Sequence, residues 1–250
     1  MPTPLPRRAF PTLVSRAQFL INAELNDFLP RWRRNKPIEM PFEGTPSVKN
    51  QVEALGVPHT EVGSLLRAGN VVGFDYLLRD GDAIEVFPFA PGSAWQDGEP
   101  RFVLDSHLGR LAAYLRMLGV DVLYRNDSHD PELAQISARE RRILLTRDRR
   151  LLMRSAVTHG YCVRSLEPDE QVGEVLRRYD LAPRLQPFRR CLRCNGYLQP
   201  VEKEQVLERL QPLTRRYFDE FAQCPDCGQI YWKGSHYLHM AKLVEKFQKE

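Results

Sequence analysis

Four cysteines toward the carboxyl end of the chain have the spacing of a metal site. Cys191 and Cys194 form one Cys-x-x-Cys pair, and Cys224 and Cys227 form a second. Two such pairs supply the four thiolates of a tetrahedral Zn²⁺ ion, and a complete set of protein ligands is typical of a structural site. The spacing therefore predicts a zinc ribbon over residues 188–240, with a helical insert between the pairs.

Acidic residues follow three consecutive hydrophobic segments. Asp105 ends FVLD, Asp127 and Asp130 follow VDVLY, and Asp148 follows RILLT. If the segments are parallel strands, their carboxyl ends share one edge of a sheet, and ligands bind at that edge. Gathered carboxylates repel one another unless a cation lies between them. Mg²⁺ and Mn²⁺ are the hard ions that prefer oxygen ligands, so the pattern favours a divalent-metal site.

Each acid also has an ordinary structural interpretation. Asp130 precedes Pro131 and a predicted helix, so an N-cap is as well supported locally as a ligand. Asp127 fits a turn residue, and Asp105 fits the cap of a helix over residues 106–118. The coincidence of Asp105, Asp130 and Asp148 at three strand ends favours the metal site.

Basic and aromatic residues near these motifs are candidates for binding a polyanion. The segment 138–154 carries seven arginines. A solvated helix face is the usual explanation, but the arginines flank the acids, which favours phosphate binding. The best candidates are Arg147, Arg149 and Arg150. Trp232 and Lys233 follow the second cysteine pair, where they could stack on unpaired bases or pack the ribbon in place.

The composition is that of an ordinary soluble protein with room for two or three domains. The chain has 250 residues, 42% hydrophobic and 27% charged, and a net charge of +4. This charge does not by itself indicate a nucleic-acid binder. No apolar run reaches the roughly 20 residues of a membrane span, and the amino-terminal stretch lacks the apolar core of a signal peptide. We therefore expect a cytoplasmic protein without membrane contact.

The middle segment, 101–180, alternates strand and helix four times between linkers at 90–100 and 181–190. FVLD, VDVLY, RILLT and YCVRS are the predicted strands, and a helical pattern follows each one. This alternation predicts an α/β fold with a parallel sheet covered by helices on both faces.

The first segment, 14–89, has two strands, a helix and further strands. The helix is predicted in TPSVKNQVEALGV, with Thr45 as its cap and Gly56 as its stop. The order resembles the β-grasp, ubiquitin-like fold of small sulfur-carrier proteins. Those carriers end in a free Gly-Gly, whereas this segment continues through Phe89 into more protein. We therefore expect a docking module with a protein partner.

The stretch FVLDSHLGRLAAYLRMLGVDVLYRNDSHD, together with ISARERRILLTRDRRLL, resembles the PIN-like nuclease domain of the Mut-seven C-terminal RNase family. The resemblance covers residues 101–180, and the cysteine tail extends it. It implies a ribonuclease with Asp105, Asp130 and Asp148 as metal ligands and Asp127 as a helper. Many PIN nucleases have a further acid where this chain has Arg150. The two hypotheses are therefore a metal-dependent ribonuclease acting on RNA and a non-catalytic RNA-binding protein with a decayed site.

Overall fold

The computed structural model describes residues 14–248, and the chain divides into two compact units, Met1–Pro88 and Phe89–Glu250. Within the described range no helix has both the length and the hydropathy needed to cross a bilayer.

The first unit is a mixed sheet with one α-helix. Its strands lie in the order β2-β1-β5-β3-β4. The central pair, β1 and β5, is parallel, and the other pairs are antiparallel. This is the predicted β-grasp arrangement. The elements are β1 (Ser15–Ile21), β2 (Ile38–Phe42), α1 (Val48–Ala54), β3 (Val62–Arg67), β4 (Asn70–Val72) and β5 (Ala83–Pro88).

Helix α1 begins later than the sequence predicts. Its N-cap is Ser47, whose hydroxyl accepts a hydrogen bond from the Asn50 N–H at 3.3 Å. The predicted cap, Thr45, is therefore wrong, because Ser47 has the extended backbone that places its oxygen over the first turn. The predicted stop is confirmed, since Gly56 follows the helix with φ of +94°.

The second unit begins with four alternations of strand and helix. All four strands are parallel, in the order β7-β6-β8-β9. The predicted α/β sheet is confirmed. Its elements are β6 (Arg101–Leu104), α2 (Gly109–Met117), β7 (Asp121–Tyr124), α3 (Asp130–Glu140), β8 (Ile143–Thr146), α4 (Arg149–Leu152), β9 (Gly160–Cys162) and α5 (Pro168–Tyr179).

A small antiparallel sheet, in the order β10-β11-β12, carries the cysteine pairs on its loops. Two short helices separate its first two strands, and they cover a separate core of Val206, Leu210, Phe221 and Ile230. The elements are β10 (Gln199–Val201), α6 (Lys203–Val206), α7 (Pro212–Tyr217), β11 (Phe221–Gln223), β12 (Ile230–Trp232) and α8 (Ser235–Phe247).

Alternate residues of the parallel strands fill two cores. Phe102 and Leu104 of β6 lie in one cluster with residues of α2 and α5, whereas α3 packs over β6 and β8. Helix α8 belongs to the first cluster, because its residues Val244 and Phe247 are buried there. Both faces of the sheet are therefore covered, which leaves its carboxyl edge as the place for a ligand.

Candidate functional site

The strand order places a topological switch point between β6 and β8. The chain leaves β6 toward β7 on one side and returns to β8 on the other, so the connections diverge there. Ligands of open parallel sheets bind outside the carboxyl ends of the strands at such a point. Asp105 directly follows β6, and Asp148 lies two residues after β8. These two acids therefore flank the switch point.

Asp105 is held in one orientation by two hydroxyl groups. Thr146 Oγ1 donates to Asp105 Oδ2 at 2.7 Å, and Ser106 Oγ donates to Asp105 Oδ1 at 3.2 Å. Asp105 is only 6% exposed, and Thr146 is fully buried. The carboxylate makes no capping bond to the 3-10 turn that follows. Asp105 therefore occupies the N-cap position without capping through its side chain, because Oδ2 is bound to Thr146 of the neighbouring strand.

Thr146 also connects Asp105 to Asp148. The Asp148 N–H donates to Thr146 Oγ1 at 2.9 Å, so one hydroxyl accepts from one acidic residue and donates to the other. The Asp148 carboxylate caps α4, with the Arg150 N–H donating to Asp148 Oδ1 at 2.7 Å. The bond from Thr146 to Asp105 joins residues 41 positions apart in the chain, so it follows only from the tertiary structure.

The other two predicted acids follow β7. Asp130 is the first residue of α3, after an N-cap position occupied by His129, and its Oδ2 lies 3.9 Å from Arg154 Nη2. Asp127 is exposed and forms an ion pair with Arg125 at 3.2 Å, which holds the pKa of the Asp127 carboxyl below its ordinary value. Asp130 therefore lies within reach of the segment after α4, and Asp127 is paired locally.

These acids share an edge without forming one closed group. Within residues 14–248, the four cysteines are the one group of three or more His, Cys, Asp or Glu side chains whose ligand atoms all lie within 4.8 Å of one another. The strand-end acids do not form such a group. The acids offer only oxygen, which is the donor that hard divalent ions prefer. Arg147, Arg149 and Arg150 are exposed beside Asp148. A metal bound by these acids stays a prediction.

The cysteine cluster has the dimensions of a zinc site. The Cys191 and Cys227 sulfurs lie 3.5 Å apart, and those of Cys194 and Cys224 lie 3.4 Å apart. Sulfurs about 2.3 Å from a tetrahedral ion lie about 3.8 Å from one another. The four thiols can therefore hold a metal ion such as zinc.

The two cysteine loops have matching backbone geometry. The Cys191 N–H donates to the Gly196 carbonyl at 2.7 Å, and the Cys224 N–H donates to the Gln229 carbonyl at 2.9 Å. Gly196 has no room for a side chain, because a Cβ there would lie 3.0 Å from the Cys224 sulfur. Burial raises the pKa of the Cys191 thiol, but hydrogen bonds from Tyr231 and from backbone N–H groups lower it to about 7. Burial raises the pKa of the Cys194 and Cys227 thiols, so Cys191 is the thiol whose surroundings favour the thiolate form that binds metal.

The first cysteine loop docks on the edge strand β7. The Val122 N–H donates to Asn195 Oδ1 at 3.0 Å, and Asn195 Nδ2 donates to Asp121 Oδ1 at 3.0 Å. Arg116 Nε donates to the Val122 carbonyl at 3.0 Å, and its Nη1 donates to the Leu192 carbonyl at 2.9 Å. The exposed edge of the parallel sheet is therefore covered by the cysteine loop, as edge strands require.

Asp121 is the charged centre of this contact. Arg142 Nη1 lies 2.6 Å from Asp121 Oδ1, and Arg190 Nη2 lies 3.4 Å from Asp121 Oδ2. Burial raises the pKa of the Asp121 carboxyl, but these two guanidinium groups and Asn195 together hold it below its ordinary value. This network could not be predicted from the sequence, because its members are far apart in the chain.

Tyr231 and Trp232, the aromatic pair after the second cysteine loop, lie in different environments. The Tyr231 hydroxyl accepts from the Leu192 N–H at 3.0 Å, so Tyr231 joins strand β12 to the first loop. Trp232 is 38% exposed, and Lys233 Nζ lies 2.7 Å from Glu220 Oε2. Both residues line a cavity of about 620 Å³ between the ribbon and α8. Tyr231 is therefore a structural residue of the ribbon, and an RNA contact by Trp232 and Lys233 stays a prediction.

Comparison with known proteins gives two family matches. The family described as Mut7-C RNAse domain matches residues 100–244, and the one described as Mut7-C ubiquitin matches residues 14–93. Among solved structures, SAMP1 from Haloferax volcanii is similar over 30% of this chain and 97% of that chain, with 16% identity and a TM-score of 0.26. No curated protein matches.

The first match spans more than half of the chain and includes both the strand-end acids and the cysteine loops. It indicates a nuclease-like function, and the second match makes the first unit a ubiquitin-like domain. The protein is a member of the Mut7-C RNAse domain family, with a Mut7-C ubiquitin domain in front.

Proposed function

We propose that the protein is a metal-dependent ribonuclease that hydrolyses RNA phosphodiester bonds at the carboxyl edge of the β6–β9 sheet. The observation that carries the proposal is the hydrogen-bonded chain from Asp148 through Thr146 to Asp105. It fixes a buried carboxylate at the switch point, where a parallel sheet binds its ligand. Family membership supports the same chemistry.

In this proposal Asp105, Asp130 and Asp148 hold Mg²⁺ or Mn²⁺ through their oxygens, and Asp127 assists. When bound, such an ion activates a water molecule and offsets the charge that develops on the phosphoryl group. Thr146 acts as a positioning residue, since its hydroxyl fixes the Asp105 carboxylate before any ligand arrives. This arrangement lowers the cost of ordering the site during catalysis.

Three exposed arginines supply the contacts to RNA at this edge. Arg147, Arg149 and Arg150 lie next to Asp148, where guanidinium groups can bind backbone phosphates. Trp232 and Lys233 are proposed as a further contact, because Lys233 can exchange its exposed partner Glu220 for a phosphate. The four cysteines are proposed to hold a structural zinc ion, since they leave no open coordination position. A protein partner of the ubiquitin-like domain and a cytoplasmic location stay predictions.

The second candidate is a non-catalytic RNA-binding protein. Arg154 lies 3.9 Å from Asp130, and a guanidinium group at that place competes with a metal ion for the carboxylate. Arg150 stands where the family resemblance leads one to expect a further acid. Both features favour a site that binds RNA without cleaving it.

Cleavage of labelled single-stranded and structured RNA with Mg²⁺ or Mn²⁺ separates the two candidates. The wild type is compared with Asp105→Asn, which keeps the shape and one acceptor for Thr146 but removes the charge. Asp75→Asn is the matched control, because that side chain is exposed and lies in the first unit. If the protein is a ribonuclease, the wild type and the control should cleave RNA and Asp105→Asn should not. RNA binding without cleavage in either metal would establish the second candidate, and equal cleavage by all three proteins would indicate a contaminant.

A further inference from the structure

The ubiquitin-like domain carries a concentrated group of cations on an otherwise acidic surface. Residues 14–88 contain ten Asp and Glu against eight Lys and Arg, and four of those cations lie in the segment RWRRNK, 31–36. No acidic residue occurs between Asp27 and Glu39. We call residues 31–36 the Trp32 patch. Its charge is opposite to that of the domain that carries it, which indicates a local role rather than general solubility.

The Trp32 patch combines a free aromatic face with uncompensated charge. Trp32 is 67% exposed, and the Arg33 guanidinium lies 4.6 Å from the centre of its ring. Arg33 Nε is buried and has no hydrogen-bond partner within residues 14–248. Within the same residues, Arg31 and Lys36 take part in no ion pair, whereas Arg34 pairs with Asp27 at 3.7 Å. Arg31 and Lys36, which are both exposed, are thus available to a ligand.

The backbone under the patch is held in place from below. Asn26 is buried, its Nδ2 donates to the Ile21 carbonyl at 2.7 Å, and its Oδ1 accepts from the Asn35 N–H at 2.8 Å. Asn35 has φ of +54°, so it turns the chain after the 3-10 helix Arg31–Arg33. Arg34 Nε donates to the Leu29 carbonyl at 3.0 Å. The patch is therefore displayed in a fixed conformation, which reduces the entropy lost when a ligand binds.

We propose that the Trp32 patch is a second RNA-binding surface, with Trp32 stacking on an unpaired base and Arg31 and Lys36 contacting phosphates. The inference rests on the proposed function only in naming RNA as the ligand. A planar exposed ring flanked by cations matches single-stranded nucleic acid, which offers bases and phosphates in alternation. A folded protein partner offers no such regular alternation, and a bilayer offers no planar group to stack on the indole.

Binding of full-length protein to a fluorescein-labelled oligouridine of about 12 nucleotides tests the proposal. All proteins carry Asp105→Asn, and the buffer lacks divalent ions, so that binding is measured without cleavage. Arg31→Gln with Lys36→Gln should lower the salt slope by about 1.4, which is about a 25-fold loss of affinity near 0.1 M salt. Trp32→Ala should weaken binding about 5- to 100-fold, and Trp32→Phe should restore most of the loss.

The matched control is Lys49→Gln with Arg79→Gln, which makes the same change of charge on the same domain outside the patch. The control should bind within about twofold of the parent. Equal losses in patch and control variants, or no loss in either, would overturn the proposal. Patch-dependent binding to vesicles of phosphatidylcholine and phosphatidylserine, with RNA affinity independent of the patch, would overturn it in favour of a membrane surface.

Failure of this proposal and failure of the ribonuclease give different results. If the wild type cleaves no RNA but the patch variants lose affinity, the second surface stands and the catalytic proposal falls. If the wild type cleaves RNA and the patch variants bind normally, the ribonuclease stands and the second surface falls.

Discussion

Replacing Asn195 tests whether the first cysteine loop stabilises the parallel sheet. In Asn195→Gly the Val122 N–H loses its acceptor, and Asp121 keeps Arg142 and Arg190 but loses one donor. An unpaired buried donor costs about 1–3 kcal/mol, and the lost neutral donor adds about 0.5–1 kcal/mol. We therefore expect the free energy of unfolding to fall by about 2 kcal/mol.

Asn195→Ala separates side-chain bonding from backbone conformation. Asn195 has φ of +76°, a region that glycine enters freely but that costs other residues about 1–2 kcal/mol. The alanine variant should therefore be about 1 kcal/mol less stable than the glycine variant. For a unit of about 160 residues, Phe89–Glu250, these changes lower Tm by about 4–8 °C for glycine and about 6–12 °C for alanine.

Thermal unfolding of zinc-saturated protein gives the size of the effect, and hydrogen exchange of the Val122 amide gives its location. Exchange at Val122 should accelerate in both variants, because the amide is protected by Asn195 and not by a neighbouring strand. A glycine variant with the wild-type Tm and the wild-type exchange rate at Val122 would refute the reasoning. Loss of zinc without faster exchange would place the effect in the cysteine site instead.

Three further predictions follow from the same contacts. Thr146→Val should lower RNA cleavage and weaken activation by Mn²⁺, whereas Thr146→Ser keeps the hydroxyl and should keep both. If the two variants cleave RNA and respond to Mn²⁺ alike, Thr146 has no role in the site. Purified protein should contain about one zinc per chain, and a strong chelator or Cys191→Ser should destabilise the ribbon. A ribbon that is folded but contains no zinc by metal analysis would contradict the structural role of the ion. The pKa of Asp121 is depressed in the folded state, so its stabilisation is present above about pH 4 and is lost as the pH falls through the folded value. The difference in urea stability between wild type and Asp121→Asn should therefore shrink in acid, and a constant difference would contradict the assignment.

The sequence predicted the elements of the sheet well because their signals are local. Each strand is a short apolar run, and Gly119 ends the helical pattern before β7 with φ of +90°. The strand order β7-β6-β8-β9 left no such signal. Because the order decides which acids flank the switch point, the pairing of Asp105 with Asp148 through Thr146 required the structure.

Contacts between residues distant in sequence were not predictable, whereas the remaining differences involve local contacts. Asn195 has the positive φ of a turn residue in its cysteine loop, but its side chain also bonds to β7, 73 residues away in the chain. The cap of α1 was placed at Thr45 instead of Ser47, an error of two residues typical of local capping signals. Asp127 pairs with Arg125 two residues away, a local contact that its position after β7 did not indicate.

The burial of Phe247 bears on when the nuclease-like sheet can be completed during synthesis. The Phe247 ring lies 6.2 Å from that of Tyr114 and is fully buried, although more than half of the chain separates the two residues. All four parallel strands leave the ribosome well before α8 does, at about 5–20 residues per second. Until then one face of the sheet lacks part of its cover, so the core formed with α2 and α5 is completed only after α8 has been made.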